Sequence, residues 1–312
     1  KKTGEFYSKE PQPGGTVALT LDIDLQAAAE ESLERTITGM MDTDSRQRGG
    51  AAVVMGVKSG EVLALATYPT YDPTTFNRDY ESLSTDDRLP LFNRATDGVY
   101  APGSTFKLCT AVAALESGII TPTTTIRDQG VYTYYAYPQP KCWIYRQYGS
   151  THGSINVSQA ITESCNYFFY ETGRLTGIET IDNYATQFGL GRSTGIETGD
   201  SKGALASPEY AKANELEWTD GQTITAAIGQ SYNLFTPIQL ANYVATLVGD
   251  GEHYKAHLLK NVKSYDNSSM IYAYDEGPEN TVSISGSTLQ AVKKGMYGVA
   301  NSTLSSQFSR CI

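Results

Sequence analysis

The sequence predicts a mixed α/β fold in which a sheet is flanked by helices. Two kinds of apolar pattern carry that expectation. Short runs of β-branched and apolar residues, bounded by Gly, Pro and Asp, read as strands. Ala- and Leu-rich stretches with apolar residues three and four apart read as helices. The composition agrees: of 312 residues, 40% are hydrophobic and 19% charged. That is enough apolar material for a packed core and too much for a disordered chain. The length suits about two units or one large α/β domain.

The elements follow in order. Residues 1–14 are polar and hold Pro11, Pro13 and Gly14, so they read as a linker from an upstream region, with the folded domain over 15–312. Thr16 to Leu21 is a strand candidate. Asp22 or Asp24 then caps a helix over Leu25–Ile37, whose apolar positions are Leu25, Ala28, Ala29 and Leu33. Ala51–Val57 and Val62–Tyr68 flank Lys58-Ser59-Gly60-Glu61, a hairpin composition. Phe106–Leu115 reads as a buried helix stopped by Gly118. Residues 121–153 are rich in Tyr, Pro and Gly and read as irregular. Helices are expected over Val157–Thr172, Ile181–Phe188, Thr236–Leu247 and Ser287–Val299, with a Gly-rich loop from Gly189 to Gly203. Thr236-Pro237 places proline at a first helical position.

Charge and apolar patterning exclude several classes. The net charge is −10, a poor match for a phosphate backbone, so no nucleic-acid partner is expected. No apolar run reaches the roughly 18 residues of a membrane span, and no charged start followed by an apolar stretch marks a signal peptide. Both statements concern these residues only. Tyr is abundant, at 22 against 9 Phe, which suits surface cover or groove walls. Four cysteines do not make a disulfide scaffold.

Candidate chemistry begins at Pro102-Gly103-Ser104-Thr105-Phe106-Lys107. Ser104 and Lys107 are three apart at a helix start, so they share a face, and unpaired N–H groups there favour developing negative charge. A serine needs a base to act as a nucleophile, and a buried lysine can be that base. The alternative is an ordinary serine cap followed by an unrelated lysine. Ser164-Cys165-Asn166 offers a second hydroxyl and an amide for proton relay and substrate binding, or simply a polar helix turn.

These strings, in this order, resemble the transpeptidase domain of class B penicillin-binding proteins over nearly the whole chain, and look closest to its elongation-type members. Also matching are Leu19-Thr20-Leu21-Asp22, Ser59-Gly60-Glu61-Val62-Leu63-Ala64, Tyr68-Pro69-Thr70-Tyr71-Asp72-Pro73 and Asn93-Arg94-Ala95. Further on come His152-Gly153, Phe188-Gly189-Leu190-Gly191, Ile228-Gly229-Gln230 and Thr236-Pro237-Ile238-Gln239-Leu240-Ala241. The resemblance implies a penicillin-binding-protein/β-lactamase-like fold, an antiparallel sheet flanked by helices. It implies a serine D,D-transpeptidase: Ser104 attacks the D-Ala-D-Ala stem peptide, Lys107 takes its proton, Ser164 passes a proton to the leaving amine and Asn166 holds the substrate amide. β-Lactams would acylate the same serine. It implies a glycosyltransferase partner and a site outside the cytoplasmic membrane, with an N-terminal membrane helix and a pedestal whose tail would be residues 1–14. The family's third motif, Lys-Thr-Gly, is expected after Met296–Ile312 and is not in the sequence; Lys2-Thr3-Gly4 precedes the domain and reads as chance. The domain is therefore expected to lack its C-terminal strands here. Rival readings are a serine β-lactamase or D,D-carboxypeptidase, and a non-catalytic penicillin-sensing scaffold.

No cofactor is required for that chemistry. Cys142, His152 and Cys165, with Asp128, nevertheless make a donor set suited to a structural Zn²⁺. A Cys142–Cys165 disulfide and buried unreactive thiols stay open beside it. Cys109 reads as core, and His253 and His257 as surface.

Overall fold

The computed structural model of the protein describes residues 13–43 and 49–302. The Lys2-Thr3-Gly4 string and residues 1–12 of the linker expected over 1–14 lie outside the described residues.

The chain begins with β1 (Thr16–Leu19) and α1 (Ile23–Thr43). Asp22 is the cap: its Oδ1 accepts from the backbone N–H of Asp24 at 3.1 Å and of Leu25 at 3.0 Å, satisfying donors the first helical turn leaves free. The hairpin of β2 (Gly50–Met55) and β3 (Val62–Tyr68) follows as expected, antiparallel, with Ala52 opposite Ala66. Gly60 turns it at φ +72°, where a Cβ would come 2.2 Å from the Lys255 carbonyl oxygen, so the turn requires glycine. Gln26 of α1 bonds Leu65 of β3 in both directions, at 2.7 and 3.0 Å. Next comes α2 (Phe76–Thr85), which buries no residue.

A 3₁₀ turn over Gly103–Phe106 leads into α3 (Lys107–Glu116), whose residues are nearly all buried. Ser104 therefore stands one turn before the α-helix. The stretch 121–153 is largely irregular, yet it carries β4 (Ile126–Asp128), α4 (Trp143–Tyr148) and the first residue of β5 (Gly153–Ile155).

The single helix expected over Val157–Thr172 is two: α5 (Val157–Thr162) and α6 (Asn166–Thr176). Ser164 breaks it, at φ +49°, a left-handed conformation that costs a non-glycine residue about 1–2 kcal/mol. Cys165 then caps α6, its Sγ accepting from the Phe168 N–H at 3.4 Å. Apolar periodicity runs through such a break without registering it, because both segments face the same core.

The rest is α7 (Ile178–Gln187), α8 (Pro208–Ala213), α9 (Asp220–Ala226), α10 (Pro237–Val248), β6 (Glu252–His253), β7 (Leu259–Lys263), β8 (Met270–Ala273), β9 (Asn280–Thr281) and α11 (Gly286–Asn301). Thr236 caps α10 within a capping box completed by Gln239. Among the described residues the strands form small antiparallel sheets: β1–β7–β8, β2–β3, β4–β5 and β6–β9. The main core surrounds α3 and draws on α5, α6, α7, α10 and α11.

The two histidines expected at the surface are buried, His253 at 2% and His257 at 4% exposure. His253 Nδ1 lies 2.8 Å from Thr246 Oγ1, and its ring fills the space a Cβ on Gly189 would take. His257 stacks on Tyr274 with centroids 3.5 Å apart. Their polar sequence neighbours hid this, because the residues that cover the two rings come from other segments. No helix among the described residues is long and apolar enough to cross a membrane.

Candidate active site

The 3₁₀ turn is held from behind. Gly103 donates its N–H to the Gly229 carbonyl at 2.9 Å. Gly229 has φ +73°, and a Cβ there would sit 2.1 Å from the Gly103 oxygen. Tyr100 and Phe235 exchange backbone hydrogen bonds at 2.9 Å, Phe106 stacks on Phe235, and the Tyr243 hydroxyl donates to the Thr105 carbonyl at 3.2 Å. Ser104 is thus an exposed side chain on a firmly packed backbone.

Lys107 is 2% exposed. Its ammonium has three protons, and three acceptors meet it: the Ser164 carbonyl at 2.8 Å, Ser164 Oγ at 3.1 Å and Asn166 Oδ1 at 2.6 Å. The Phe169 ring lies 5.7 Å from Nζ. Ser164 Oγ in turn donates to Ser104 Oγ at 2.9 Å. The left-handed turn at Ser164 is what lets one residue offer both its carbonyl and its hydroxyl to the lysine. Burial pushes the Lys107 ammonium down to about 8, against the opposing pull of Cys165 and Cys142. A lysine in that range is a minority neutral amine at neutral pH and mostly neutral above about 8. The group opens into a cavity of about 440 Å³ walled by Leu108, Ile161, Val244, Met296 and Val299.

All four metal candidates also converge. Asp128 and Gly153 are paired across β4 and β5, which sets His152 beside the carboxylate. His152 Nδ1 is 2.8 Å from Asp128 Oδ2, and the His152 N–H donates to the same oxygen at 3.1 Å. Cys142 Sγ lies 3.6 Å from His152 Nδ1 and 3.8 Å from Cys165 Sγ, and Cys165 Sγ lies 3.7 Å from Asp128 Oδ2. The four donor atoms fall within 4.8 Å of one another. Tetrahedral zinc with bonds near 2.0–2.3 Å spaces its ligands by roughly 3.3–3.8 Å, so three of these separations already match. Asp128, Cys142 and Cys165 are essentially inaccessible, and the His152 side chain is 3% exposed. Hydrogen bonding between the two thiols, joined by burial, pushes Cys165 up, and the same hydrogen bond holds Cys142 down against the opposing effect of burial. Burial opposes the Asp128 charge, but bonds from the Gly130 and His152 N–H groups keep its pKa below the usual value. Cys109 lies apart in the core, its Sγ 4.0 Å from the Ile181 carbonyl.

The structure therefore assembles Ser104, Lys107, Ser164 and Asn166 in one cluster and Asp128, Cys142, His152 and Cys165 in an adjoining one. Reading by motif passed over Tyr243 and Phe169. It included Gly229 in the Ile228-Gly229-Gln230 string, but only the backbone approach explains that glycine.

Comparison with known proteins bears on this geometry. Residues 50–309 match the family described as the penicillin binding protein transpeptidase domain. The chain is 34% identical over 300 residues to the Peptidoglycan D,D-transpeptidase MrdA of Escherichia coli, covering 93% of this chain and 44% of that protein. It superposes on PBP2 of Pseudomonas aeruginosa, solved in complex with WCK 5153, with a TM-score of 0.79 and 30% identity, covering 93% of this chain and 63% of that one. A chain from a peptidoglycan synthase complex, described as coordinating polymerization and crosslinking, gives a TM-score of 0.81 at 30% identity, covering 94% of this chain and 50% of that one. The chain spans less than half the length of its MrdA relative.

Proposed function

The chain belongs to the penicillin-binding-protein transpeptidase family, and from that premise we propose that it carries the acyl-transfer centre of an elongation-type peptidoglycan D,D-transpeptidase. The observation that supports this best is the hydrogen-bonded chain from the buried Lys107 through Ser164 Oγ to Ser104 Oγ. In its neutral form Lys107 keeps a lone pair for a proton. Ser104 then passes its proton by way of Ser164 Oγ as it attacks the carbonyl of the penultimate D-Ala. The Ser104 N–H, at the start of the 3₁₀ turn, is a donor for the developing oxyanion. Ser164, recharged by Lys107, returns a proton to the departing D-Ala amine, and Asn166 Nδ2 can hold the substrate amide while its Oδ1 accepts from Lys107. An amine from a neighbouring stem peptide resolves the acyl-enzyme and forms the cross-link. A penicillin enters the same path and stays on Ser104.

The partner that fits is an enzyme polymerising glycan strands, at the outer face of the cytoplasmic membrane, with the anchor supplied by residues outside this chain. The Asp128, Cys142, His152 and Cys165 set is proposed as a structural zinc site: thiolate, imidazole and carboxylate donors suit that ion. Bound zinc would supply a fixed tetrahedral junction between the β4–β5 pair, α4 and α6, and no chemical step. Protein purified without chelator should hold close to one zinc per chain by elemental analysis; metal-free protein would refute the assignment.

The pH profile tests the acyl-transfer reading. The rate of labelling by a fluorescent penicillin should rise with pH as Lys107 loses its proton and level off above about 8. A rate that is flat from well below to well above that value would remove Lys107 from the base role.

A further inference from the structure

We propose that Cys142 and Cys165 form a redox-active dithiol whose closure to a disulfide disables the Ser164–Asn166 segment. The two Sγ atoms are 3.8 Å apart, and a disulfide needs them at about 2.05 Å, so side-chain rotation and a small backbone shift would join them. Cys165 stands between Ser164 and Asn166, and both of those residues hold Lys107. Drawing Cys165 toward Cys142 therefore pulls on the 2.6 Å contact between Lys107 and Asn166 and the 2.9 Å contact between Ser164 and Ser104.

Both thiols are fully buried, so an oxidant reaches them only through local opening. α4 follows Cys142 directly, has no fully buried residue, rests on the core through the half-buried Trp143, Ile144 and Tyr145, and ends at the left-handed Gly149. An element with so little fully buried surface is where such opening would start. The oxidant is a disulfide, borne by a small molecule or a protein. One cysteine thiolate attacks it and expels a thiolate, leaving a mixed disulfide on the chain. The second cysteine, deprotonated, attacks the chain's own sulfur in that bond and expels the other thiolate. The pair loses two electrons and two protons; the disulfide gains them and leaves as two thiols.

The inference rests on the proposed acyl transfer for its consequence, and on the proposed zinc site for one further expectation, that bound zinc blocks closure by holding both sulfurs. Protein stripped with a chelator is incubated with oxidised glutathione, beside a sample refilled with zinc. Alkylation and peptide mass mapping then report on the thiols. The expected result is a linked pair of peptides carrying Cys142 and Cys165 and lacking two hydrogens, with Cys109 still alkylated on denaturation. Penicillin acylation of the linked form should fall by roughly 10²-fold, as a displacement near 1 Å can cause, and return on reduction. The Cys142→Ser variant should show no oxidant-dependent change in its own acylation rate.

Absence of the linked pair in stripped protein overturns the proposal, as does a linked form that acylates at the original rate. An oxidant-dependent loss that persists in Cys142→Ser overturns it too. Equal linkage with and without zinc upholds the dithiol and contradicts only the zinc site. Failure of wild-type reduced protein to acylate at all contradicts the proposed function instead, while the linkage itself is still read by mass.

Discussion

The clusters around Lys107 and around Asp128 meet at three consecutive residues, Ser164, Cys165 and Asn166, but they are completed in opposite ways. Each proton of the Lys107 ammonium has an acceptor among the chain's own oxygens. In the neighbouring cluster, two sulfurs, His152 Nδ1 and a carboxylate oxygen face one another within 4.8 Å. The first arrangement is closed on itself; the second leaves four donor atoms converging on one another, the arrangement the proposed zinc would complete. The lesson is that alternation along a single strained turn can serve two centres, with Ser164 and Asn166 turned to one and Cys165 to the other.

Removing the closed cluster's hub should have the largest effect. Lys107→Ala is expected to lower the rate of penicillin acylation by about 10³-fold, the scale of a lost general base. Stopped-flow or gel-based labelling rates check this, and near-normal labelling would mean that the hydrogen bonds of Lys107 are structural. Gly229→Ala probes the backbone beneath the same cluster. Its positive φ and the 2.1 Å approach to the Gly103 oxygen predict a loss of about 1–3 kcal/mol in urea unfolding together with slower acylation; wild-type values for both would show that the close approach is not needed. The converging cluster should respond differently. Asp128→Ala strands the N–H groups of Gly130 and His152 and should cost about 1–3 kcal/mol. It should also abolish zinc retention while leaving residual acylation well above that of Lys107→Ala. If both variants lost acylation equally, the division into two centres would fail.

Much of this was legible in the residues. The spacing of Ser104 and Lys107 placed them on one face, and the named metal candidates do converge. Pro237 at the first position of α10 followed from a local pattern. What was not legible depended on distant partners. Nothing in the Val157–Thr172 periodicity marks the left-handed Ser164, since its strain is offset by Lys107, far away in sequence. His253 and His257 read as surface because their burial is made by Gly189 and Tyr274, from other segments. The strands of β4 and β5, three residues each, are too short for alternation to show.

The central claim is that Ser104 is the nucleophile set off by Lys107 through Ser164. The most direct test is the intact mass of the protein before and after incubation with a penicillin, for wild type and Ser104→Ala. Ser104 is exposed, so its replacement should leave stability within about 0.5 kcal/mol. The account predicts an adduct of one drug mass on the wild type and none on a fully folded Ser104→Ala. A stoichiometric adduct retained by that variant would contradict it.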